Sequence, residues 1–345
     1  MTQARVIRLL MLGLPVGLII TTIIALVMYF RGDADAAGKG YGPHTRRDIT
    51  RKDLQAHVEM LTKTIGPRHM GDPDRLQAAA KYIEGTLGPA NLGYKVSRHT
   101  YQVKNTDCHN LVLNLLAEGS DRIAEVVLIG AHYDTVPGTP GADDNASGVA
   151  ALMSLAQAFA NTKHQRSLRF VFFTNEEPPH FQTKDMGSLV YAKECKQRGD
   201  NIVAMLSLES IGYYSAKRGS QKTPPGLDAQ VPDKGDFLAV IGNVTSQPIV
   251  DVCKNWFGSH STLPVLGMAL PATVVEQGWS DHWSFWQQGY PAVMVTDTAV
   301  LRNPHYHQPT DTSATLDYER FVQAVKGIEG VIQSLANPGR VQAAK

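Results

Sequence analysis

Apolar residues recur at helical spacing in two early stretches of the chain. Leu54, Val58, Leu61 and Ile65 return every three or four positions, and residues 74–87 (DRLQAAAKYIEGTL) do the same with Leu76, Ala80, Ile83 and Leu87. Both patterns predict helices that cover a core. The period then shortens. Residues 94–103 and 110–116 alternate or are β-rich and predict strands. Residues 124–129 (AEVVLI) form a short, continuous apolar run ending at Gly130, as expected of a parallel strand buried on both faces. A helical pattern returns over 145–159 (NASGVAALMSLAQAF), with Asn145 placed to cap it. Residues 167–174 (SLRFVFFT) and 201–208 (NIVAMLSL) repeat the buried-strand type, separated by a helix predicted over 186–196. Residues 213–236 are polar and rich in Gly, Pro and Lys, and read as a surface loop or a lid. A strand over 237–241, a helix over 248–257, a last strand over 292–295 and a closing helix over 316–335, with Phe321, Val325, Ile328 and Ile332 on one face, complete the body. Strands alternating with helices predict an α/β fold with a mixed, largely parallel central sheet flanked by helices. No internal repeat or low-complexity block is present.

Ahead of this body, residues 9–30 carry no charge. At about 1.5 Å per residue a helix of that length spans roughly 33 Å, enough for a bilayer core. Arg5 and Arg8 precede it, and Asp33 and Asp35 follow Arg31. The positive-inside bias therefore predicts a cytoplasmic amino terminus and an extracytoplasmic body, periplasmic in a bacterium. The alternative is a cleaved signal with Ala34-Asp35-Ala36 as its processing site. The organisation expected is a cytoplasmic stub and transmembrane helix over 1–31, a flexible linker over 32–49, one folded domain over 50–338 and a tail over 339–345.

Composition narrows the partners. With 33 Lys and Arg against 32 Asp and Glu, the net charge is +1 and no basic stripe is visible, so nucleic acid is not an expected partner. Cys108, Cys195 and Cys253 match no zinc-finger spacing and permit at most one bridge. They read as buried thiols. Nothing in the pattern assigns an oligomeric state.

Candidate chemistry gathers where the predicted strands end. His132 follows the run 124–129, Asp144 stands at the mouth of the next helix, Glu177 follows 167–174, Glu209 follows 201–208, and His307 lies in the loop RNPHYHQPTDT. Open α/β sheets place their sites at the carboxyl ends of strands. Imidazole and carboxylate suit Zn²⁺, and two ions about 3.5–4 Å apart need a bridging carboxylate plus further ligands on each. The count closes with His132 and Glu209 on one ion, Glu177 and His307 on the other, and Asp144 between them. Glu176 is then left to remove a proton from a water held at the metals. Asp134, two residues after His132, can reach the other ring nitrogen and fix its tautomer.

These residues resemble the M28 family of zinc aminopeptidases. The matching motifs are AHYD (131–134), GADDNASG (141–148), NEE (175–177), LSLESIGY (206–213), SDHWSFW (280–286) and YHQPTDT (306–312). The likeness covers residues 54–335. It implies a zinc-dependent exopeptidase fold over the 50–338 domain, two Zn²⁺ per chain on His132, Asp144, Glu177, Glu209 and His307, and Glu176 as general base. It also implies that Asp144 rather than Asp143 bridges, because the bridging acid stands three residues before Ser147-Gly148, and that the Asp144–Asn145 peptide is cis. Tyr306 resembles the tyrosine that polarises the substrate carbonyl in some members, with a packing role as its alternative. The substrate implied is a peptide with a free N-terminus. Glu209 departs from the Asp of many members, and an inserted PPHFQ-like segment follows the catalytic acids. The same likeness leaves open a carboxypeptidase, a one-zinc glutaminyl cyclase and a catalytically silent binding ectodomain.

Overall fold

The computed structural model describes residues 46–339 apart from 228. The stretch 9–30, expected to span a membrane, lies outside the described residues. Among the described residues no helix is long and apolar enough to cross a membrane.

Helix α1 (Arg51–Glu59) starts where the Thr50 side chain accepts from the Asp53 amide, and it continues as a wider turn, Met60–Ile65. Asp72 caps α2 (Pro73–Leu87), with Pro73 at its first position. Both starts are the local chemistry that satisfies orphan amide groups at a helix mouth. Strands β1 (Val96–Val103) and β2 (Thr106–Leu115) form a hairpin. Next come β3 (Glu125–His132), α3 (Gly148–Ala158), β4 (Ser167–Phe173), α4 (Gly187–Arg198) and β5 (Asn201–Glu209). The remainder is β6 (Leu238–Asn243), α5 (Gln247–Phe257), β7 (Val265–Leu270), the short α6 (His282–Trp286), β8 (Ala292–Thr296), the short α7 (Ala299–Arg302) and α8 (Tyr318–Ala336).

The eight strands make one sheet in the order β1-β2-β4-β3-β5-β8-β6-β7. Pairs β4/β3, β3/β5, β5/β8 and β6/β7 are parallel, while β1/β2, β2/β4 and β8/β6 are antiparallel. The expected mixed, largely parallel sheet is therefore present. β3 lies at its centre, and its apolar run is continuous because both faces are covered: Val127 and Ile129 join the core containing α3 and α8, whereas Val126 and Leu128 join a second core with Phe173, Tyr191 and Phe285. Helix α3 is buried all round, which explains its small, apolar sequence.

Two expectations change. The helix read over 145–159 begins at Gly148, because Asp144 and Asn145 have non-helical backbone angles and the peptide between them is cis. Ser147 rather than Asn145 occupies the N-cap position, and Asn145 reaches the helix start from upstream, its Oδ1 accepting from the Gly148 amide at 3.0 Å. Among its described residues, the stretch 213–236 contains no strand or helix beyond the Ser215–Gly235 bridge. Leu227 and Val231 pack from it onto Phe237, Ile241, Leu270 and Met294, so it covers one face of β6, β7 and β8. The three cysteines are buried, as expected, and none of them is bridged.

Close packing under the site leaves one readable prediction. A Cβ on Gly130 would stand 2.4 Å from Cε2 of Phe173, a ring with no exposure. Gly130→Ala should destabilise the fold by about 1–3 kcal/mol, the usual cost of overpacking a core. An unchanged denaturation midpoint would contradict this.

Candidate metal centre

Parallel pairing brings the chemistry to one edge. His132 is the last residue of β3 and pairs in register with Phe173, the last residue of β4. Thr174 and Asn175 then lead to Glu176 and Glu177, with Asn175 in the left-handed region at φ 58°. Glu209 ends β5, which pairs with β3 on the other side. Asp144 comes from the turn before α3, and His307, also left-handed at φ 58°, from the loop after α7.

All five expected ligands converge. His132, Asp144 and Glu209 form one group, and Asp144, Glu177 and His307 form a second, the donor atoms of each lying within 4.8 Å of one another. His132 Nε2 stands 3.2 Å from Asp144 Oδ1 and 3.2 Å from Glu209 Oε2. His307 Nε2 stands 3.0 Å from Asp144 Oδ2 and 3.3 Å from Glu177 Oε2. Thus Asp144 divides its two oxygens between the groups. A tetrahedral ion with bonds of about 2.0–2.1 Å sets its ligands about 3.3 Å apart, the separation seen here. Nε2 of both histidines and Oδ1 of Asp144 are buried without a hydrogen-bond partner. Buried polar atoms are almost always satisfied, so these three are spare donors aimed at a cation. The residues present fit zinc.

Surrounding groups fix the donors. His132 Nδ1 lies 3.2 Å from the Asp134 carbonyl oxygen and 3.5 Å from its carboxylate. Asp134 therefore faces the expected ring nitrogen of His132, with its carbonyl nearer than its carboxylate. The carboxylate is engaged elsewhere, accepting from the Glu176 amide at 3.2 Å and the Glu177 amide at 3.1 Å. It holds the exit of β4 in place. Glu209 accepts from Ser210 Oγ at 2.9 Å and Ser280 Oγ at 2.8 Å, which steadies the longer arm. Glu177 Oε1 accepts from the Val136 amide at 3.2 Å. Asp143 turns away to accept from the Gly212 amide and from Asn303 Nδ2, so Asp144 faces the centre and Asp143 does not.

Two of these groups were not singled out from the sequence. Asp311 accepts from the amides of Asp143 and Asp144 at 3.0 and 3.2 Å. It and Ser280 sit inside the motifs YHQPTDT and SDHWSFW, which is the signal that could have found them.

Electrostatics match a site built around positive charge. Burial, and then the neighbouring Glu209 and Glu177, push the Glu176 carboxyl well above its ordinary value, although His132 works against them. Burial and Asp144 push Glu177 up to about 7, against the pull of His307. For Asp144 burial is overcome by the facing His132 and His307 imidazoles, which hold it below the usual carboxylate range. Burial would lower His307, yet Asp144 and Glu177 push it up to about 10. Glu176 Oε2 is 3.8 Å from His132 Nε2 and belongs to neither ligand group.

Above the groups lies a cleft of about 430 Å³ lined by Asp144, Glu176, Glu177, Pro178, Phe181, Glu209, Trp279, Tyr306 and His307. The inserted segment therefore supplies Pro178 and Phe181 to the rim. Tyr306 stacks on His307 at 3.9 Å and 16°. A second, mainly apolar cavity of about 780 Å³ shares Glu209, Trp279 and Tyr306 with the cleft and extends over Phe237, Ile241, Met268 and Met294 beneath the 213–236 stretch.

A family model, peptidase family M28, matches residues 110–331. An uncharacterized protein, YfbL, of Escherichia coli K12 is 35% identical over 295 residues, 83% of this chain and 88% of that protein. Leucine aminopeptidase 1 of Arthroderma otae is 27% identical over 243 residues, 66% of this chain and 59% of that one, so the chain spans about three fifths of that relative's length. Among solved structures, the aminopeptidase of Aneurinibacillus sp. strain AM-1 superposes with a TM-score of 0.65 at 16% identity, covering 86% of this chain and 96% of that one. A glutaminyl cyclase of Fimbriiglobus ruber reaches 0.57 at 20% identity, covering 84% and 96%. At these identities the two superpositions speak for the fold.

Proposed function

The chain belongs to peptidase family M28, and from that premise we propose that it is a di-zinc aminopeptidase that removes the N-terminal residue of a peptide. The observation carrying the reading is the cleft lining, which holds Asp144, Glu176, Glu177 and Glu209 but no lysine or arginine. With these carboxylates engaged by the metals and the proton transfer, the lining offers no side-chain cation to a substrate carboxylate, which argues against a carboxypeptidase. Two ligand groups sharing Asp144 support two ions, against one in a glutaminyl cyclase.

Zinc held by His132, Asp144 and Glu209, and by Asp144, Glu177 and His307, would polarise the scissile carbonyl and make a water acidic at neutral pH. Glu176 takes the water proton on its carboxylate as the water oxygen bonds to the carbonyl carbon. It then gives that proton to the leaving nitrogen as the C–N bond breaks. Its burial keeps the carboxylate basic enough for the first step. Tyr306, fixed by its stack on His307, faces the cleft and donates its hydroxyl to the substrate carbonyl oxygen. The apolar cavity beside Glu209 receives the first side chain.

A panel of aminoacyl anilides tests this. Leucyl, methionyl and phenylalanyl substrates should be cleaved, and N-acetyl-leucyl anilide should not. Equal cleavage of the blocked substrate would reject the aminopeptidase assignment. Met294→Trp, which fills the apolar cavity, should cut kcat/KM on phenylalanyl substrate by about 10-fold or more, as a loss of around 1.4 kcal/mol of binding implies, while alanyl substrate is spared.

The proposal includes placement. Residues 9–30 would anchor the enzyme, with the peptidase on the outer, extracytoplasmic face. Protease added to intact cells after outer-envelope permeabilisation should then digest the body, and protection there would refute the orientation.

A further inference from the structure

Arg68 lies beneath the metal centre with no exposure. Its guanidinium donates to main-chain carbonyl oxygens: Nε to Tyr133 at 2.9 Å, Nη1 to Leu61 at 3.0 Å, Gly66 at 3.1 Å and Pro140 at 2.8 Å, and Nη2 to Gly141 at 3.2 Å. Three of these acceptors, Tyr133, Pro140 and Gly141, bracket the segment that joins His132 to Asp144. The main chain reinforces the tie, with the Arg68 amide donating to Thr135 Oγ1 at 3.0 Å and the Thr135 amide donating to the Arg68 carbonyl at 2.8 Å. Leu61 and Gly66 belong to the end of the first helical stretch, so one side chain joins that end to both ends of the ligand loop.

The loop has no slack with which to absorb a shift. Gly141 sits at φ +62°, and a Cβ there would stand 2.4 Å from the Asp144 carbonyl oxygen and 2.5 Å from Thr135 Cγ2. A displacement at Pro140 or Gly141 is thus passed directly to Asp144. Burying a charge is costly unless it is used. Burial lowers Arg68 to about 10, and Asp134, Asp311, Asp144 and Glu177 counter that through space, so it remains a cation at neutral pH.

We propose that Arg68 is a positioning residue for the metal centre: its planar fork fixes the loop so that His132 Nε2 and the Asp144 carboxylate stand at zinc-binding separation. This rests on the di-zinc reading. Lysine keeps the charge but not the fork, so Arg68→Lys separates geometry from charge.

The test strips the full chain with a chelator and titrates it back with zinc against a chromogenic competitor. Wild type should take up two equivalents. Arg68→Lys should bind zinc about 10–100-fold more weakly, the usual effect of losing a group that orients a ligand, with kcat lowered, KM within twofold and the far-UV spectrum retained. Thr135→Val, which removes the Oγ1 acceptor and leaves the guanidinium, should shift affinity less in the same direction. Gly327→Ala serves as the control for general destabilisation, since its Cβ would meet the Phe257 ring at 2.3 Å, far from the ligand loop in sequence; it should lower the melting temperature and leave zinc affinity unchanged. Wild-type zinc affinity in Arg68→Lys overturns the proposal whatever its melting temperature. If that variant does not fold, Arg68→Gln takes its place, and wild-type zinc affinity there overturns the proposal. A wild-type chain that binds one zinc contradicts the two-ion reading, and the effect of Arg68→Lys on that one ion still decides the role of Arg68.

Discussion

Glu176→Gln should retain two zinc ions and lose turnover by about 10²–10⁴-fold, the range that a positioned general base supplies. The residue is buried, lines the cleft and stands outside both ligand groups. Glutamine keeps its size and polarity but cannot take a proton, so packing and metal content are expected to persist. Elemental analysis and kcat on a leucyl anilide measure the two halves separately. Full activity in the variant would remove Glu176 from the chemistry, and loss of zinc would recast it as a ligand. The pH profile gives an independent reading. Burial with Glu209 and Glu177 raises this carboxyl above its ordinary value in the metal-free site, and the acid limb of the wild-type profile, which reports its ionisation, should vanish in Glu176→Gln.

Asp144→Asn should lose both metals together. Its two oxygens are divided, one 3.2 Å from His132 Nε2 and the other 3.0 Å from His307 Nε2, so removing its charge weakens both groups at once. His132→Ala and His307→Ala each touch one group and should reduce zinc content while leaving partial binding. Stability follows occupancy: a ligand present at a thousand times its Kd stabilises the folded state by about 4 kcal/mol. Chelation should therefore lower the melting temperature of wild type markedly and that of Asp144→Asn hardly at all. An Asp144→Asn protein holding two zinc ions would refute the bridging role. Because Asp144 and Glu177 push His307 up to about 10, zinc must displace a proton from its ring at neutral pH. Zinc uptake should release protons, seen by titration in buffers of different ionisation enthalpy, and affinity should fall as pH falls.

Much of this arrangement was legible in the chain. The central strands announced themselves because a strand covered on both faces is apolar throughout, and the ligands could be placed because each follows such a run. The two early helices were legible from their apolar spacing, and the structure adds the caps at Thr50 and Asp72. β7 was missed for a physical reason: VLGMAL has one β-branched residue and a glycine at its centre, and its membership of the sheet comes from pairing with β6 rather than from propensity. Asp134 was placed beside His132, but its bonds to the Glu176 and Glu177 amides were not foreseen, because spacing along a strand exit cannot tell which amides a carboxylate will meet from the next strand. Arg68 gave no signal at all, since its role depends on carbonyl groups that gather only in three dimensions. The 213–236 stretch looked like an exposed loop because its few apolar residues, Leu227 and Val231 among them, are scattered between polar ones, and only the sheet face beneath them shows what they cover.

The three solitary thiols also say where this protein can mature. Cys108, Cys195 and Cys253 lie apart inside the body, and burial pushes Cys195 up to about 11 and Cys253 up to about 12, so at neutral pH these two are almost wholly in the unreactive protonated form. No covalent staple has to be set before the cores close. Folding therefore asks nothing of an oxidant or a disulfide isomerase, and the finished body should tolerate reducing and oxidising surroundings alike.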